Sequence, residues 1–328
     1  MFLLHLVMST FFRSIHLLRL VLILSAMAAC AGDADTGDDP DAGLTGDGSS
    51  ADATADNSSL MNAETLQEWY DLGLDEFFGK AVIKEETTKG NVTTFIFDPA
   101  SGPICLLGAD FRAFIRDMDS DNMMFFLSGG GACWSGMQMC MPAAAPEMPT
   151  GMFGALDENN DENVAKDWNV VFVSYCDGSI FWGANEVEEP DGTIRYHHGR
   201  QNLSAGIDLA LEHFPDMKKI LLFGSSAGGY GTFFTIPLLR IVYPQAELFV
   251  VADSGLGLQD TEKTDDIDTR IEEWNYVIPP SCVSCDGGRG QSTEIITWLL
   301  ETDTGLTASM ASYDQDLVIG GLYLSLTG

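Results

Sequence analysis

The feature that most constrains this chain is a serine set between glycines, in the sequence FGSSAGGYGT at residues 223–232. An apolar run precedes it and a helical-looking stretch follows it. In the order strand, G-x-S-x-G, helix, this pattern predicts a sharp turn in which the serine takes a strained backbone conformation. Gly224 and Gly228 allow the strand and the helix to approach closely. The hydroxyl of Ser226 would then be exposed at the end of a sheet; a packing turn made of small residues is the alternative.

A second glycine-rich segment lies about ninety residues upstream of this turn. The sequence NMMFFLS at 122–128 predicts a buried strand, and it runs directly into three glycines at 129–131. Glycines allow the backbone N–H groups of Gly130 and Gly131 to approach a substrate and, with the N–H of Ala227, to stabilise a developing oxyanion. Together the two segments indicate a serine hydrolase with an α/β-hydrolase arrangement.

Two further motifs lie between these segments: YCDGS at 175–179, followed by Trp182, and HHGR at 197–200. With GGGACW at 129–134 and the serine turn, they occur in the order typical of the pectin acetylesterase and Notum family, which the chain resembles over about residues 60–328. The resemblance implies an α/β-hydrolase carboxylesterase that removes acyl groups from polysaccharides or, in Notum, from a lipidated protein. The acyl group and its carrier stay open.

Hydrophobic periodicity over the same region predicts an α/β fold. Early antiparallel strands are expected at 81–84, 93–97 and 111–116, and parallel strands at 123–128, 169–175, 219–223, 247–252 and 307–313. Helices are expected at 62–79, 200–214, 229–242 and 291–301. Strands that alternate with helices predict a mostly parallel sheet with helices on both faces. We expect this α/β-hydrolase-like fold to lack its C-terminal helix.

A serine nucleophile needs a general base and an acid that orients it, and α/β-hydrolases carry them in the order Ser, Asp, His. The resemblance favours Asp316 as the acid, with Asp314 as the alternative. No histidine follows His213, and we interpret His197 and His198 as structural or pocket-lining. Either the chain is a truncated product without its histidine-bearing segment, which we favour, or it is an inactive pseudoenzyme.

Trp134, Asp177 and Trp182 are candidates for the wall of the acyl or sugar site, since aromatic rings stack on sugar faces. Core packing beside the sheet is the alternative role. The function we expect is an exported serine carboxylesterase that removes acyl groups, in the first instance acetyl, from a polysaccharide or related ester. The alternative is a catalytically inactive, surface-tethered protein that binds carbohydrate.

The first thirty residues predict export. Arg13 and Arg19 flank the start of an apolar run that ends in small residues before Cys30, which is typical of a signal peptide over 1–30. The end of this segment is similar to a bacterial lipobox, so we expect Cys30 to be lipidated, with plain secretion as the alternative. The apolar run is shorter than a membrane-spanning helix requires. The expected location is the bacterial cell envelope, or the medium.

Residues 31–59 combine aspartates with Gly, Ala, Ser and Thr and contain no basic or aromatic residue, which predicts a disordered acidic linker before the domain at 60–328. In the whole chain 49 acidic residues face 16 basic ones, a formal charge of −33. This excess disfavours nucleic acid and polyanionic partners. We expect a monomer without a cofactor, which contacts a membrane only through its N-terminal lipid.

If Cys30 is lipidated, six cysteines remain, and an even set in an exported chain predicts disulfides. The sequence suggests three pairs but leaves the connectivity open: Cys133 with Cys140, Cys105 with Cys176, and Cys282 with Cys285. No metal site is predicted. The last pair has no second half for zinc, and the aspartates at 117–121 lack the glycine and glutamate of a calcium loop.

Overall fold

Short apolar runs separated by turn residues give this chain an alternating order of strands and helices. The computed structural model describes residues 59–150 and 154–314, together with Asp316 and Val318. In chain order its elements are α1 (Ala63–Asp71), β1 (Ile83–Lys89), β2 (Val92–Phe97), β3 (Arg112–Arg116), β4 (Asn122–Leu127), β5 (Gly131–Trp134), β6 (Met137–Cys140), β7 (Asn169–Val173), β8 (Asn185–Glu188), β9 (Ile194–His197), α2 (Gly199–His213), β10 (Lys219–Ser225), α3 (Ala227–Val242), β11 (Glu247–Asp253), α4 (Thr264–Trp274), α5 (Thr293–Thr302) and β12 (Leu306–Ala311).

Eight of these strands form one central sheet in the order β1-β2-β3-β7-β4-β10-β11-β12. The first three strands pair antiparallel, and β3 is antiparallel to β7. From β7 to β12 every neighbouring pair is parallel. The predicted α/β-hydrolase-like fold with a mostly parallel sheet is confirmed. Two of the early antiparallel strands, β2 and β3, lie where the sequence places them, whereas β1 was expected at 81–84 and extends from Ile83 to Lys89.

The strands that precede the predicted site residues end level with one another. Leu127 at the end of β4 pairs with Gly224 of β10, and Ser225 pairs with Asp253 at the end of β11. Asp253 pairs in turn with Ala311 at the end of β12. The glycine loop, the serine turn and the segment after β12 therefore leave the sheet at the same edge, where α/β folds bind ligands.

Alternate side chains of the inner strands bury opposite faces of the sheet. On one face Met123, Phe125 and Ile220 pack in a cluster that also contains side chains of α1, α2, α3 and α5. On the other face Met124 and Phe126 pack in a cluster with Met148, Leu156 and Ala165. Both faces of the inner strands are thus withdrawn from water, which explains their unbroken apolar sequence.

Several elements differ from the sequence-based expectations. The first helix ends at Asp71 instead of extending to residue 79, because Gly73 takes a φ of 71° that breaks the helix. The hairpins β5–β6 and β8–β9 and the helix α4 were not expected. The hairpins are four residues a strand, too short to show a clear period of two, and α4 is mostly polar.

Three disulfides join cysteines of the described residues: Cys105–Cys176, Cys133–Cys140 and Cys282–Cys285. They are the three pairs that the sequence suggested. The second closes the β5–β6 hairpin directly after the glycine loop. Disulfides form and persist in oxidising compartments, so these bonds indicate that the protein is exported.

A buried ion pair ties the far end of α3 to the start of β12. The guanidinium of Arg240 donates to both carboxylate oxygens of Asp303 at 2.8 and 3.0 Å, and both side chains are inaccessible to solvent. The same guanidinium donates to the C=O groups of Tyr243, Pro244 and Ala246, which follow the helix. Each of the three guanidinium nitrogens therefore has an acceptor, as a buried charge requires.

The predicted signal peptide, the lipidation site Cys30 and almost all of the linker at 31–59 lie outside the described residues, as does most of the segment after Asp314. Among the described residues, no helix has the length and apolarity needed to cross a membrane. The same part of the chain contains no cluster of three or more His, Cys, Asp or Glu side chains arranged as metal ligands.

Candidate active site

The predicted serine turn is formed as a strained elbow between β10 and α3. Ser226 has φ 55° and ψ −117°, a backbone conformation that residues other than glycine rarely adopt. Its N–H donates to the C=O of Asp253 at 2.8 Å, and its C=O accepts from the N–H of Tyr230. The elbow is thus held both by the neighbouring strand and by the first turn of the helix.

The glycines around Ser226 are required by close backbone contacts. A Cβ added at Gly224 would lie 2.0 Å from the carbonyl oxygen of Gly228, and one added at Gly228 would lie 2.2 Å from that of Leu127. Neither position has room for a side chain, because the neighbouring atoms belong to backbone. The packing of β4, β10 and α3 at this point therefore depends on both glycines.

The glycine loop after β4 packs directly on the elbow. A Cβ at Gly129 would lie 2.8 Å from the carbonyl oxygen of Ser225 and 3.0 Å from the Cβ of Ser226. A Cβ at Gly130 would lie 2.2 Å from the ring of Tyr175. Gly131 has φ 79°, and a Cβ there would lie 1.9 Å from a carbonyl oxygen of β6. Each of the three positions consequently excludes a side chain.

The orientation of one N–H group in this loop follows from a hydrogen bond. The C=O of Gly130 accepts from the N–H of Met141 at 2.8 Å. In a planar trans peptide the C=O and the N–H point in opposite directions, so the N–H of Gly131 points away from Met141. The N–H of Ala227 belongs to the first turn of α3, where N–H groups have no partner within the helix.

Ser226 opens into a cleft of about 510 Å³, a volume typical of small-molecule sites. Of the predicted site residues, Ser226, Ala227, Gly131, Trp134 and Asp316 line this cleft. The other lining residues are Ala132, Ile180, Tyr230, Leu256, Leu258, Gln259, Asp260, Lys263, Asp266, Arg270, Trp274, Gln291, Ser292, Ser312, Tyr313 and Asp314.

Three predicted site residues do not line the cleft. Gly130 lies behind its neighbour, against the Tyr175 ring. Asp177 is fully buried and accepts hydrogen bonds from the N–H and the hydroxyl of Ser179, and burial raises its pKa. Trp182 is fully buried and stacks on Phe234 in the main hydrophobic cluster. The alternative role of core packing fits Asp177 and Trp182, because the segment that carries them runs beneath the cleft.

Both candidate acids, Asp316 and Asp314, line the cleft on the side formed after β12. The carboxylate of Asp316 accepts from the N–H of Val318 at 2.9 Å. Asp253 lies at the end of the neighbouring strand, where its carboxylate accepts from the hydroxyl of Ser254. The structure thus brings Asp316 and Ser226 to one cavity from two separate strand ends.

None of the three histidines in the described residues lines the cleft. His197 is buried with its Nδ1 3.0 Å from the C=O of Asp177, and burial lowers its pKa to about 4. His198 bonds the C=O of Gly102, and His213 is exposed beside Phe95. The structural roles expected for His197 and His198 agree with these contacts.

Trp134, Trp274 and Arg270 form an aromatic wall in the cleft lining, and of these three only Trp134 was anticipated from the sequence. The rings of Trp134 and Trp274 meet edge to face with centroids 6.0 Å apart, and the guanidinium of Arg270 lies 5.1 Å above the Trp134 ring. The indole N–H of Trp274 donates to the C=O of Cys133 at 2.9 Å. Burial lowers the pKa of Arg270. The cation–π contact with the aromatic ring partly offsets the cost of burying this charge.

A buried ion pair holds the β5–β6 hairpin against α4. Arg195 lies 3.0 Å from the carboxylate of Glu273, and the same carboxylate accepts from the N–H of Ser135 at the hairpin turn. Arg195 also pairs with Glu189. Since Trp134 directly precedes Ser135, this pair sets the position of the aromatic wall.

Comparison with known proteins agrees with this arrangement. A family model described as pectinacetylesterase matches residues 84–277. The relatives found include pectin acetylesterase 4 of Arabidopsis thaliana, 29% identical over 147 residues, which cover 42% of this chain and 36% of the relative. They also include the palmitoleoyl-protein carboxylesterase NOTUM of Homo sapiens, 28% identical over 200 residues, which cover 50% of this chain and 38% of the relative. The match thus spans less than half the length of these relatives.

Proposed function

The chain belongs to the pectinacetylesterase family, and from this membership and the cleft geometry we propose that it is an exported serine carboxylesterase that removes acyl groups from an ester substrate. The observation that carries the proposal is the strained Ser226, which faces the same cleft as Gly131 and Ala227. A strained serine beside convergent backbone N–H groups is the arrangement that acyl transfer uses.

In the proposed reaction the Ser226 hydroxyl attacks the ester carbonyl while a general base takes its proton. The N–H groups of Ala227 and of Gly131, with Gly130 supporting the loop, stabilise the negative charge on the carbonyl oxygen. The base returns the proton to the leaving alcohol, which leaves an acyl group on Ser226. Water activated by the same base then releases the carboxylic acid. Asp316 orients the base and stabilises its positive charge.

The identity of the base is the open element of this scheme, because no histidine of the described residues reaches the cleft. The base is therefore a group other than His197, His198 and His213. A small imidazole added in solution can take this role, since the cleft is open and large enough to admit it beside a substrate.

We propose acetyl as the acyl group and a carbohydrate as its carrier, because several relatives are named pectin acetylesterases. Trp134 lines the cleft, but it is only 3% exposed and the guanidinium of Arg270 lies over its ring, so it supports the cleft wall and does not offer a free stacking face. The disulfides agree with export. Anchoring through a lipid on Cys30 is the finer form of this proposal, and labelled palmitate incorporation into the wild type but not into Cys30→Ala tests it.

The function is tested by hydrolysis of p-nitrophenyl acetate and by labelling with a fluorophosphonate probe. We expect slow hydrolysis that 2-methylimidazole accelerates in a saturable way, and a probe adduct on Ser226 found by mass spectrometry. Ser226→Ala should remove both. Ser254→Ala is the matched control, because this serine also has a positive φ at a strand end but does not line the cleft. Hydrolysis that survives in Ser226→Ala would place the reaction elsewhere.

The absence of a histidine from the lining in the described residues also favours a second candidate, a surface-tethered protein that binds carbohydrate without hydrolysing it. This function predicts no probe adduct and no imidazole-dependent hydrolysis. It also predicts binding of acetylated oligosaccharides that is lost when Trp134 is replaced by alanine. Isothermal titration with an acetylated xylo-oligosaccharide and with its deacetylated form distinguishes the two candidates.

A further inference from the structure

Tyr175 is a buried tyrosine whose hydroxyl bonds to two residues of the cleft lining. The hydroxyl donates to the C=O of Gly131 at 2.6 Å and accepts from the N–H of Ile180 at 3.1 Å. Gly131 and Ile180 both line the cleft, whereas Tyr175 does not. A single phenol group therefore joins the glycine loop to the segment that carries Ile180.

This contact completes the restraint on Gly131. The peptide before Gly131 is fixed because the C=O of Gly130 accepts from Met141, and the peptide after it is fixed because the C=O of Gly131 accepts from Tyr175. The Tyr175 ring also fills the space beside Gly130. With both flanking peptides held, the positive φ of Gly131 and the direction of its N–H are determined.

The other partner of the phenol is strained as well. Ile180 and Phe181 both have positive φ values, 51° and 68°, which β-branched and bulky residues rarely adopt. The Tyr175 hydroxyl accepts the N–H of Ile180, and the Tyr175 ring lies 5.0 Å from that of Phe181. Strain of this kind persists where the surroundings hold it in place.

We infer that Tyr175 is a positioning residue for ester hydrolysis: it holds the Gly131 N–H in the orientation that stabilises the oxyanion. The inference rests on the proposed function. Burial and the nearby charge of Asp177 raise the pKa of Tyr175, so its hydroxyl stays protonated and can donate throughout the working pH range. Tyr175 touches no substrate and acts only through the loop.

Tyr175→Phe removes the hydroxyl and keeps the ring. If the Gly131 N–H loses its orientation, stabilisation of the transition state falls while binding of the planar ester changes little. We expect kcat for p-nitrophenyl acetate to fall at least about tenfold, since loss of an oxyanion donor outright costs about 100- to 1000-fold. KM should stay within about twofold, as for an interaction made only in the transition state.

The matched control is Tyr243→Phe. Tyr243 is equally buried and donates to the C=O of Phe214 at 2.9 Å, but it lies outside the cleft lining. Tyr175→Phe loses two phenol hydrogen bonds and Tyr243→Phe loses one, so both should lower the melting temperature, Tyr175→Phe by more. Only Tyr175→Phe should lower kcat and weaken binding of a trifluoromethyl ketone, which forms a tetrahedral adduct with serine.

Three outcomes decide the inference. A fall in kcat and in ketone affinity for Tyr175→Phe alone supports it. Equal kcat for the two variants, or a change in Tyr175→Phe confined to KM, overturns it. If Tyr175→Phe does not fold, Met141→Pro serves as the second variant, because it deletes the N–H that donates to Gly130. This variant should have a lower kcat and an unchanged KM. An unchanged kcat overturns the inference. Ser226→Ala distinguishes failure of this inference from failure of the proposed function. If the proposed function is wrong, hydrolysis persists in Ser226→Ala.

Discussion

The two walls of the cleft are built on different principles. The glycine wall, formed by residues 129–132 and the elbow serine, consists of backbone held within van der Waals contact by positions that exclude any side chain. The charged wall, formed by residues 256–270, presents side chains that include Asp260, Lys263, Asp266 and Arg270. Half-buried side chains tolerate exchange far better than packed backbone does. Under the proposed function, we expect the glycine wall to fix the chemistry and the charged wall to set the substrate.

The largest effect is expected from a substitution in the glycine wall. Gly228→Ala places a methyl group 2.2 Å from the carbonyl oxygen of Leu127, and because this neighbour is backbone the elbow must shift. We expect loss of the Ser226 probe adduct and a fall of several degrees in the melting temperature. Gly154→Ala is the control, since no heavy atom lies within 4 Å of its added Cβ. A Gly228→Ala variant that labels normally would show that the elbow does not need this contact.

A smaller effect is expected from a substitution in the ion pair that holds the β5–β6 hairpin against α4. Glu273→Gln breaks the buried pair with Arg195 and weakens the bond to Ser135 of the hairpin. We expect the free energy of unfolding to fall by about 3 kcal/mol, the low end for breaking a buried pair, because Arg195 keeps Glu189. Urea denaturation measures this change.

The control for Glu273→Gln is Asp161→Asn, which breaks an exposed pair with Lys166 and should leave the urea midpoint unchanged. In the active protein, KM should rise more than kcat falls, because the hairpin carries Trp134. Equal midpoints for Glu273→Gln and the wild type would mean that the two walls are held together by other contacts.

The smallest effect is expected from substitutions in the charged wall alone. Replacing Asp260 and Asp266 together by asparagine removes two negative charges from the cleft lining. At low ionic strength, kcat/KM for a cationic acetyl ester should fall about two- to tenfold relative to an anionic one, and high salt should remove the difference. Stability should not change. Glu85→Gln, on the exposed strand β1, is the charge control. A fall that is the same for both esters would assign these aspartates to positioning instead.

The sequence predicted the glycine wall better than it predicted the rest of the cleft lining. The elbow and the glycine loop were predicted because their information is local: each is a strand followed by glycines at fixed spacing. The strands of the parallel sheet were predicted from their apolar runs for the same reason. Their boundaries differ from the structure by one or two residues.

The aromatic wall was predicted only at Trp134, because it is assembled from distant parts of the chain. Trp134 meets Trp274 and Arg270 only after the hairpin and α4 have packed together. Asp177 and Trp182 were expected in the site, yet both are buried beneath it. A motif reveals that a segment matters, but not which of its side chains face the cavity. Tyr175 belongs to the same motif, and its role follows only from its hydrogen bonds.

The Arg240–Asp303 pair has a consequence for how such a site can diversify. It joins the last turn of the helix that follows Ser226 to Asp303, which lies three residues before the start of the strand that leads to Asp316. The pair lies at the opposite end of both elements from the cleft. The two elements that carry the proposed nucleophile Ser226 and the proposed acid Asp316 are thus joined at the end remote from the cleft. We therefore expect loops at the open end to tolerate changes of length and charge while Ser226 and Asp316 keep their separation.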